Sequence, residues 1–166
     1  MRNFKTLALV VFGLIGSSVS AQYTLDKIDL SIFPKAEKGM VQYVVEVPHS
    51  TMEEDANKKV EVFIGKNQEV DTCNRHFLSG ELQQNELKGF RYSYYTFKSS
   101  GNVGGTLMAC GDTKKVTKFV TSKPVLMDYN GRMPIVIYAP EGFDVQYKIY
   151  KAEPENYRAY QVRQKK

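Results

Sequence analysis

Beyond Met40 the apolar residues recur mostly at every second position, the spacing that sends alternate side chains of an extended strand to opposite faces. Tyr43, Val45 and Val47 alternate with Val44 and Glu46, and Val60, Val62 and Ile64 share one face with Glu61 on the other. Val145, Tyr147 and Ile149 alternate with Gln146 and Lys148. Arg91 to Phe97 is rich in tyrosine, and Val116 to Thr121 sets Lys118 beside Phe119; both favour strand. Ile135 to Tyr138, after Pro134, is a short and nearly continuous apolar strand. Turn signals divide these runs at Gly65-Lys66-Asn67, Ser79-Gly80, Gly111-Asp112, Asn130-Gly131 and Pro140-Glu141-Gly142. Six or seven short strands without sustained helical periodicity predict an all-β domain, an antiparallel sandwich or barrel. The acidic, polar stretch Ser50 to Asn57 reads as a loop or a single helical turn.

The first 21 residues break this pattern. Arg2 and Lys5 precede an apolar run from Leu7 to Ile15, and Val19-Ser20-Ala21 is a small-residue cleavage site. This is the layout of a secretory signal peptide, and its apolar run is too short to span a bilayer comfortably. We therefore expect a signal over residues 1–21 and one domain over 22–166, with no membrane association after cleavage. The net charge of +5 includes Arg2 and Lys5, so the exported part is only mildly basic, and its scattered cations do not point to nucleic acid. Arg163, Lys165 and Lys166 form a solvated tail. Cys73 and Cys110 are the two cysteines, and in an oxidising compartment two thiols most simply form one disulfide. Closing a loop of that length stabilises a fold by roughly 4 kcal/mol in the chain-entropy view.

Signatures of catalysis are missing: there is no nucleophile elbow, no glycine-rich phosphate loop and no zinc-protease motif. Two histidines, His49 and His76, are too few for most histidine metal sites, so no metal and no cofactor are expected. His76 reads as a polar surface residue beside a disulfide, and Glu69 and Asp71 as charges ending a strand. Phe90, Arg91, Tyr92, Tyr94 and Tyr95 fit either a strand with one face in the core or a platform for sugars. Tyr150, Tyr157 and Tyr160 are more apolar than a free tail needs; they pack on the chain's own core or on a second subunit. The most distinctive segment is Gly104-Gly105-Thr106-Leu107-Met108-Ala109-Cys110. Ser99 to Gly105 is small and flexible in composition, Thr106 to Ala109 favours an extended backbone, and Leu107 is its bulkiest side chain. Either Leu107 and Met108 are buried at the start of a strand, or they are held out as bait. A substrate-like protease inhibitor does the second, offering an extended strand to the enzyme's cleft and one side chain to its pocket.

Several collinear segments carry a resemblance across nearly all of the exported chain. They are Pro34-Lys35-Ala36-Glu37-Lys38-Gly39-Met40, Glu69-Val70-Asp71 with Cys73-Asn74, Tyr94-Tyr95 after Gly89, Thr106-Leu107-Met108-Ala109-Cys110, Lys118-Phe119-Val120-Thr121, Tyr129-Asn130 with Pro134-Ile135-Val136, and Lys151-Ala152-Glu153. In these the chain resembles the ecotins, secreted bacterial inhibitors of trypsin-fold serine proteases. The resemblance implies a jelly-roll-like antiparallel barrel, located in the periplasm, that dimerises by exchanging C-terminal strands, with Tyr147 to Tyr160 as the dimer element. It also implies that each dimer binds two proteases, each touching both subunits. The reactive bond would join Leu107 to Met108 within a primary loop of Gly104, Gly105, Thr106, Leu107, Met108 and Ala109, tied by a Cys73–Cys110 disulfide to the loop holding Asn74 and Arg75. A secondary site would draw on Phe90, Arg91 and Tyr92 and on Tyr129, Asn130, Arg132 and Met133. Leu107 suits chymotrypsin- and elastase-type pockets and has no charge for the buried aspartate of a trypsin-type pocket. The other reading is a periplasmic β module that binds a glycan or lipid through Tyr92 to Tyr95.

Overall fold

The computed structural model describes residues 29–109, 111 and 114–163. The expected signal peptide and Cys110 lie outside the described residues, as does Asp112 of the expected Gly111-Asp112 turn. In chain order the strands are β1 (Met40–Val45), β2 (Lys58–Asp71), β3 (His76–Leu78), β4 (Glu81–Glu86), β5 (Ser93–Lys98), β6 (Val103–Gly105), β7 (Lys115–Thr121), β8 (Val125–Asp128), β9 (Ile135–Pro140) and β10 (Asp144–Lys151). One sheet has the order β1-β9-β5-β4, a second has β10-β2-β7 with β8 also on β2, and β3 pairs with β6 in a small third ladder. Pairing is antiparallel throughout except between β5 and β9, which run parallel. The expected all-β antiparallel class holds, as an open sandwich rather than a closed barrel.

Val60, Val62 and Ile64 of β2 meet Phe97 of β5 and Ile137 and Ala139 of β9 in the main core between the two larger sheets. On the other face of β9, Val136 and Tyr138 pack with Phe33 and Leu87 under a cover of Leu30, Ile32 and Met40. A strand buried on both faces has no position for a polar residue, which is why Ile135 to Tyr138 reads as a continuous apolar run.

The turn expected at Gly65-Lys66-Asn67 does not form, because β2 runs straight through it. Gly65 instead marks the point where β2 changes neighbours, pairing with Asp144 at the start of β10 and with Thr121 at the end of β7. A Cβ added there would lie 2.4 Å from the carbonyl oxygen of Val120 and 3.0 Å from Cα of Thr121, both backbone atoms. The glycine therefore serves a close approach of two strands. Gly65→Ala is expected to destabilise the fold by about 1–3 kcal/mol, seen as a lower urea midpoint at unchanged slope; an unchanged midpoint would contradict this. Just beyond, Ser122, Lys123 and Pro124 separate β7 from β8 along the same edge of β2, and Ser122 donates from N–H and hydroxyl to the Ile64 carbonyl at 2.9 and 3.3 Å. This is a bulge, a place where a strand tolerates proline.

Ser50 to Asn57 contains one short helix, α1 (Met52–Ala56). Thr51 caps it, accepting from the Glu54 N–H at 3.2 Å while the Glu54 carboxylate accepts from the Thr51 N–H at 3.1 Å. That reciprocal pair satisfies two donors that a helix start leaves free.

Candidate functional site

The short β3–β6 ladder ends at the segment singled out in the sequence. His76 pairs with Gly105, Phe77 with Gly104 and Leu78 with Val103. One residue further the two chains still hold together, as the Thr106 N–H donates to the Arg75 carbonyl and the Arg75 N–H donates to Thr106 Oγ1, both at 3.0 Å. Then the chains part, and Leu107 stands out fully exposed (100%), followed by Met108 at 55%. The alternative of a buried Leu-Met pair is thereby removed.

Asn74 governs what happens on either side of Leu107. Its Oδ1 accepts from the Thr106 hydroxyl at 3.0 Å and from the Met108 N–H at 2.9 Å. One side chain thus pins the residues before and after Leu107 and leaves Leu107 itself untouched. Asn74 is held in turn by Asp71, whose Oδ1 accepts from the N–H groups of Cys73 (2.9 Å) and Asn74 (2.6 Å), an Asx-type turn. The other oxygen, Oδ2, faces Nε2 of His76 at 3.1 Å. The Asn74 N–H, helped by Cys73 and His76, holds the Asp71 carboxyl below its usual range despite partial desolvation. A carboxylate whose pKa is lowered in the folded state stabilises it above the unfolded value, and that contribution is lost as pH falls through the folded one. The amide NMR signals of Cys73 and Asn74 should therefore titrate with a midpoint below the ordinary aspartate value; a midpoint at or above that value would contradict the assigned turn.

Two features here differ from the sequence reading. His76 is not a surface residue: its side chain is largely buried between Asp71 and Gly105, and its Nδ1 is buried with no hydrogen-bond partner. Gly104 and Gly105 are not a flexible spacer but ladder residues under close cover. A Cβ on Gly105 would meet the His76 ring at 3.1 Å and the Arg75 carbonyl oxygen at 3.2 Å; one on Gly104 would meet the Phe77 ring at 2.6 Å. The described cysteine of the expected pair, Cys73, is not free.

The residues expected at a secondary site fall on two other loops. Phe90, Arg91 and Tyr92 form the exposed connection of β4 to β5, closed by the Leu87 N–H donating to the Tyr92 carbonyl at 2.8 Å, with Gly89 at φ +82° allowing the tight turn. Between β8 and β9, Asn130 and Arg132 are exposed while Tyr129 is buried in the main core, its hydroxyl donating to the Pro48 carbonyl. Tyr129 therefore anchors this loop from below, and its side chain is not a surface contact. Asp55 of α1 fixes the loop from the side: Oδ2 accepts from the Gly131 N–H at 3.1 Å and lies 3.8 Å from the Arg132 guanidinium, while the Ser50 hydroxyl donates to Oδ1. Burial pushes the Asp55 carboxyl up, but Ser50, Gly131, Lys58 and Arg132 together outweigh it and hold the group below its usual range. Met133 is partly exposed at the end of the loop.

The family model described as Ecotin matches residues 29–152, which takes in both loop systems and every strand but the last residues beyond β10. The chain belongs to the ecotin family. It is similar to an ecotin of Serratia proteamaculans, 43% identical over 124 residues (73% of this chain and 71% of the relative). It is also similar to an ecotin of Pseudomonas putida, 37% identical over 133 residues (79% and 82%), and to one of Yersinia enterocolitica, 37% identical over 137 residues (81% and 79%). Ecotins are secreted bacterial inhibitors of serine proteases, so this chain is an inhibitor and not an enzyme. Among the residues that organise the site, Asp71 and His76 read in the sequence only as a strand-end charge and a surface residue, and Asp55 is not singled out at all. The spacing Asp71-Thr72-Cys73-Asn74 carried the one available signal, since aspartate readily caps the backbone two and three residues ahead.

Proposed function

We propose that this ecotin-family chain inhibits trypsin-fold serine proteases by offering Leu107 to the primary specificity pocket, with Leu107–Met108 as the reactive bond. The observation that carries this reading is the isolation of Leu107: fully exposed, with both flanking residues hydrogen-bonded to Asn74. A peptide fixed in an extended shape before binding avoids much of the ordering penalty that a free substrate meets. Leucine fills an apolar pocket of the chymotrypsin or elastase kind, and fits a trypsin-type pocket less well, because the aspartate there would stay unpaired. A disulfide from Cys73 to Cys110 would close the carboxyl side of the loop as Asn74 closes its centre. If the bond is cut, both new ends stay aligned, so product leaves slowly and resynthesis competes with release.

The same reading makes the protein a homodimer in the periplasm, cleaved from a leader over 1–21 and acting as one domain over 22–166. Two observations support the dimer. β10 is an edge strand of its sheet, an arrangement that invites pairing with another chain, and beyond it Tyr157, Tyr160 and Val162 are exposed on a segment without strand partners. Dimerisation places Phe90, Arg91, Tyr92, Asn130, Arg132 and Met133 of one subunit where they can touch a protease held by the other, and this second contact adds avidity. Removing residues 153–166, which leaves β10 in place, is expected to weaken the dimer and to weaken inhibition about 100-fold where it dissociates; sedimentation and inhibition titrations check both, and an equally stable dimer of full potency would contradict the part given to the tail. The glycan or lipid module loses its main support, because Tyr95 packs on the main core and Tyr94 sits edge-on against Tyr138 at 5.6 Å.

The experiment that tests the primary site is digestion-resistant complex formation with chymotrypsin followed by mass spectrometry. Any slow cleavage is expected after Leu107, and cleavage elsewhere without inhibition would contradict the reading.

A further inference from the structure

Phe77 is a large aromatic residue 56% exposed, placed on β3 opposite Gly104, which lies three residues before Leu107. Cross-strand partners share a face of their ladder, and strand alternation puts Gly104 and Thr106 on one face and Gly105 on the other. His76, opposite Gly105, turns inward to Asp71, so Phe77 lies on the outward face. Its ring is folded over Gly104: a Cβ there would lie 2.6 Å from Cζ and 2.7 Å from Cε2. The volume that a side chain at position 104 would fill is therefore already occupied, by an aromatic ring delivered from the neighbouring strand.

We propose that Phe77 is a specificity-determining residue, its ring standing in for the side chain that Gly104 lacks and entering the protease's subsite for the fourth residue on the amino side of the reactive bond. The inference rests on the Leu107 assignment above. A substrate strand presents that residue's side chain to the enzyme by the same alternation that presents its neighbours. Here the strand offers glycine and the contact comes from Phe77. An apolar, uncharged ring selects enzymes whose subsite is apolar and disfavours those that place a carboxylate or lysine there. The ring belongs to a strand tied to the loop by a ladder, so its position is set before binding.

An aromatic ring over a glycine also steadies the strand pair itself, so the test must separate contact from support. Inhibition constants against chymotrypsin and thermal midpoints of the free proteins are measured for Phe77→Ala, Phe77→Leu, Gly104→Val, the Phe77→Ala/Gly104→Val double variant and Leu107→Asp. Loss of a buried phenylalanine contact predicts about 10- to 100-fold weaker inhibition for Phe77→Ala, an intermediate loss for Phe77→Leu, and a midpoint shift too small to account for either. Gly104→Val alone should weaken inhibition by displacing the ring, whereas the double variant should regain most of the lost affinity because valine now supplies the missing side chain. Full potency of Phe77→Ala alongside inactivity of Leu107→Asp would overturn the role of Phe77 and leave the primary loop standing. Full potency of both would overturn the primary-loop reading itself. A large fall in midpoint for Phe77→Ala, with Phe77→Leu fully potent and the double variant no better than Phe77→Ala, would assign the ring to support of the ladder and overturn the proposal.

Discussion

Leu107→Asp is expected to lose chymotrypsin inhibition by at least about 1,000-fold. Leu107 is fully exposed, so its replacement should leave the fold and the Asn74 contacts intact, and the thermal midpoint should not change. The effect falls on the complex alone. An apolar pocket that accepted leucine would have to receive a carboxylate with no counter-charge, and burying an unpaired charge in this way costs about 3–5 kcal/mol, before the lost apolar burial of about 1.5–3 kcal/mol is added. The two terms act together, which makes this the largest single effect expected on the surface of the molecule. Inhibition titrations with the oxidised, folded variant check it. Retained potency would mean that another segment enters the pocket.

The second large effect is expected inside the support of the loop. Asn74→Ala removes one acceptor that holds two donors, the Thr106 hydroxyl and the Met108 N–H. Leu107 then keeps its exposure but loses its fixed backbone. Re-ordering two or three residues on binding costs about 1–2 kcal/mol each, so inhibition should weaken about 100-fold or more, with faster cleavage of the Leu107–Met108 bond. Asn74→Asp is informative beside it, because a carboxylate retains acceptors for both donors and should recover much of the loss. Inhibition constants and the rate of appearance of a fragment ending at Leu107 measure the two halves of this expectation. An alanine variant that inhibits fully and resists cleavage would remove Asn74 from the mechanism.

The alternation at Val60-Val62-Ile64 was enough to find β2, because that face lies in the core; the same alternation at Val145-Tyr147-Ile149 found β10, although only Val145 packs on the core and Tyr147 and Ile149 stay exposed. β9 was legible for the opposite reason: burial on both faces erases alternation and leaves a run. The short strands β3, β4, β6 and β8 left little trace. β4 is polar apart from Leu82, which alone packs against the main core, and β6 is Val103 followed by two glycines. Gly65 misled because glycine marks turns and close approaches alike, and only the position of Val120 tells which is needed. Leu107 was legible as bait or as core, and the choice needed exposure, a property of the tertiary fold. Asp71, Asn74 and His76 lie close in sequence, yet their work depends on Thr106 and Gly105 arriving from a distant strand. Tyr129 shows the reverse error: a residue within a surface loop whose own side chain points into the core.

Active-site-titrated chymotrypsin, mixed with increasing amounts of the purified, oxidised protein, gives the most direct test. Residual activity is expected to fall linearly and reach zero at one inhibitor chain per enzyme molecule, with elastase behaving alike and trypsin inhibited less tightly. Full residual activity of all three enzymes at excess inhibitor, or rapid digestion of the chain in place of inhibition, would contradict the assignment of Leu107 as the residue that enters the protease.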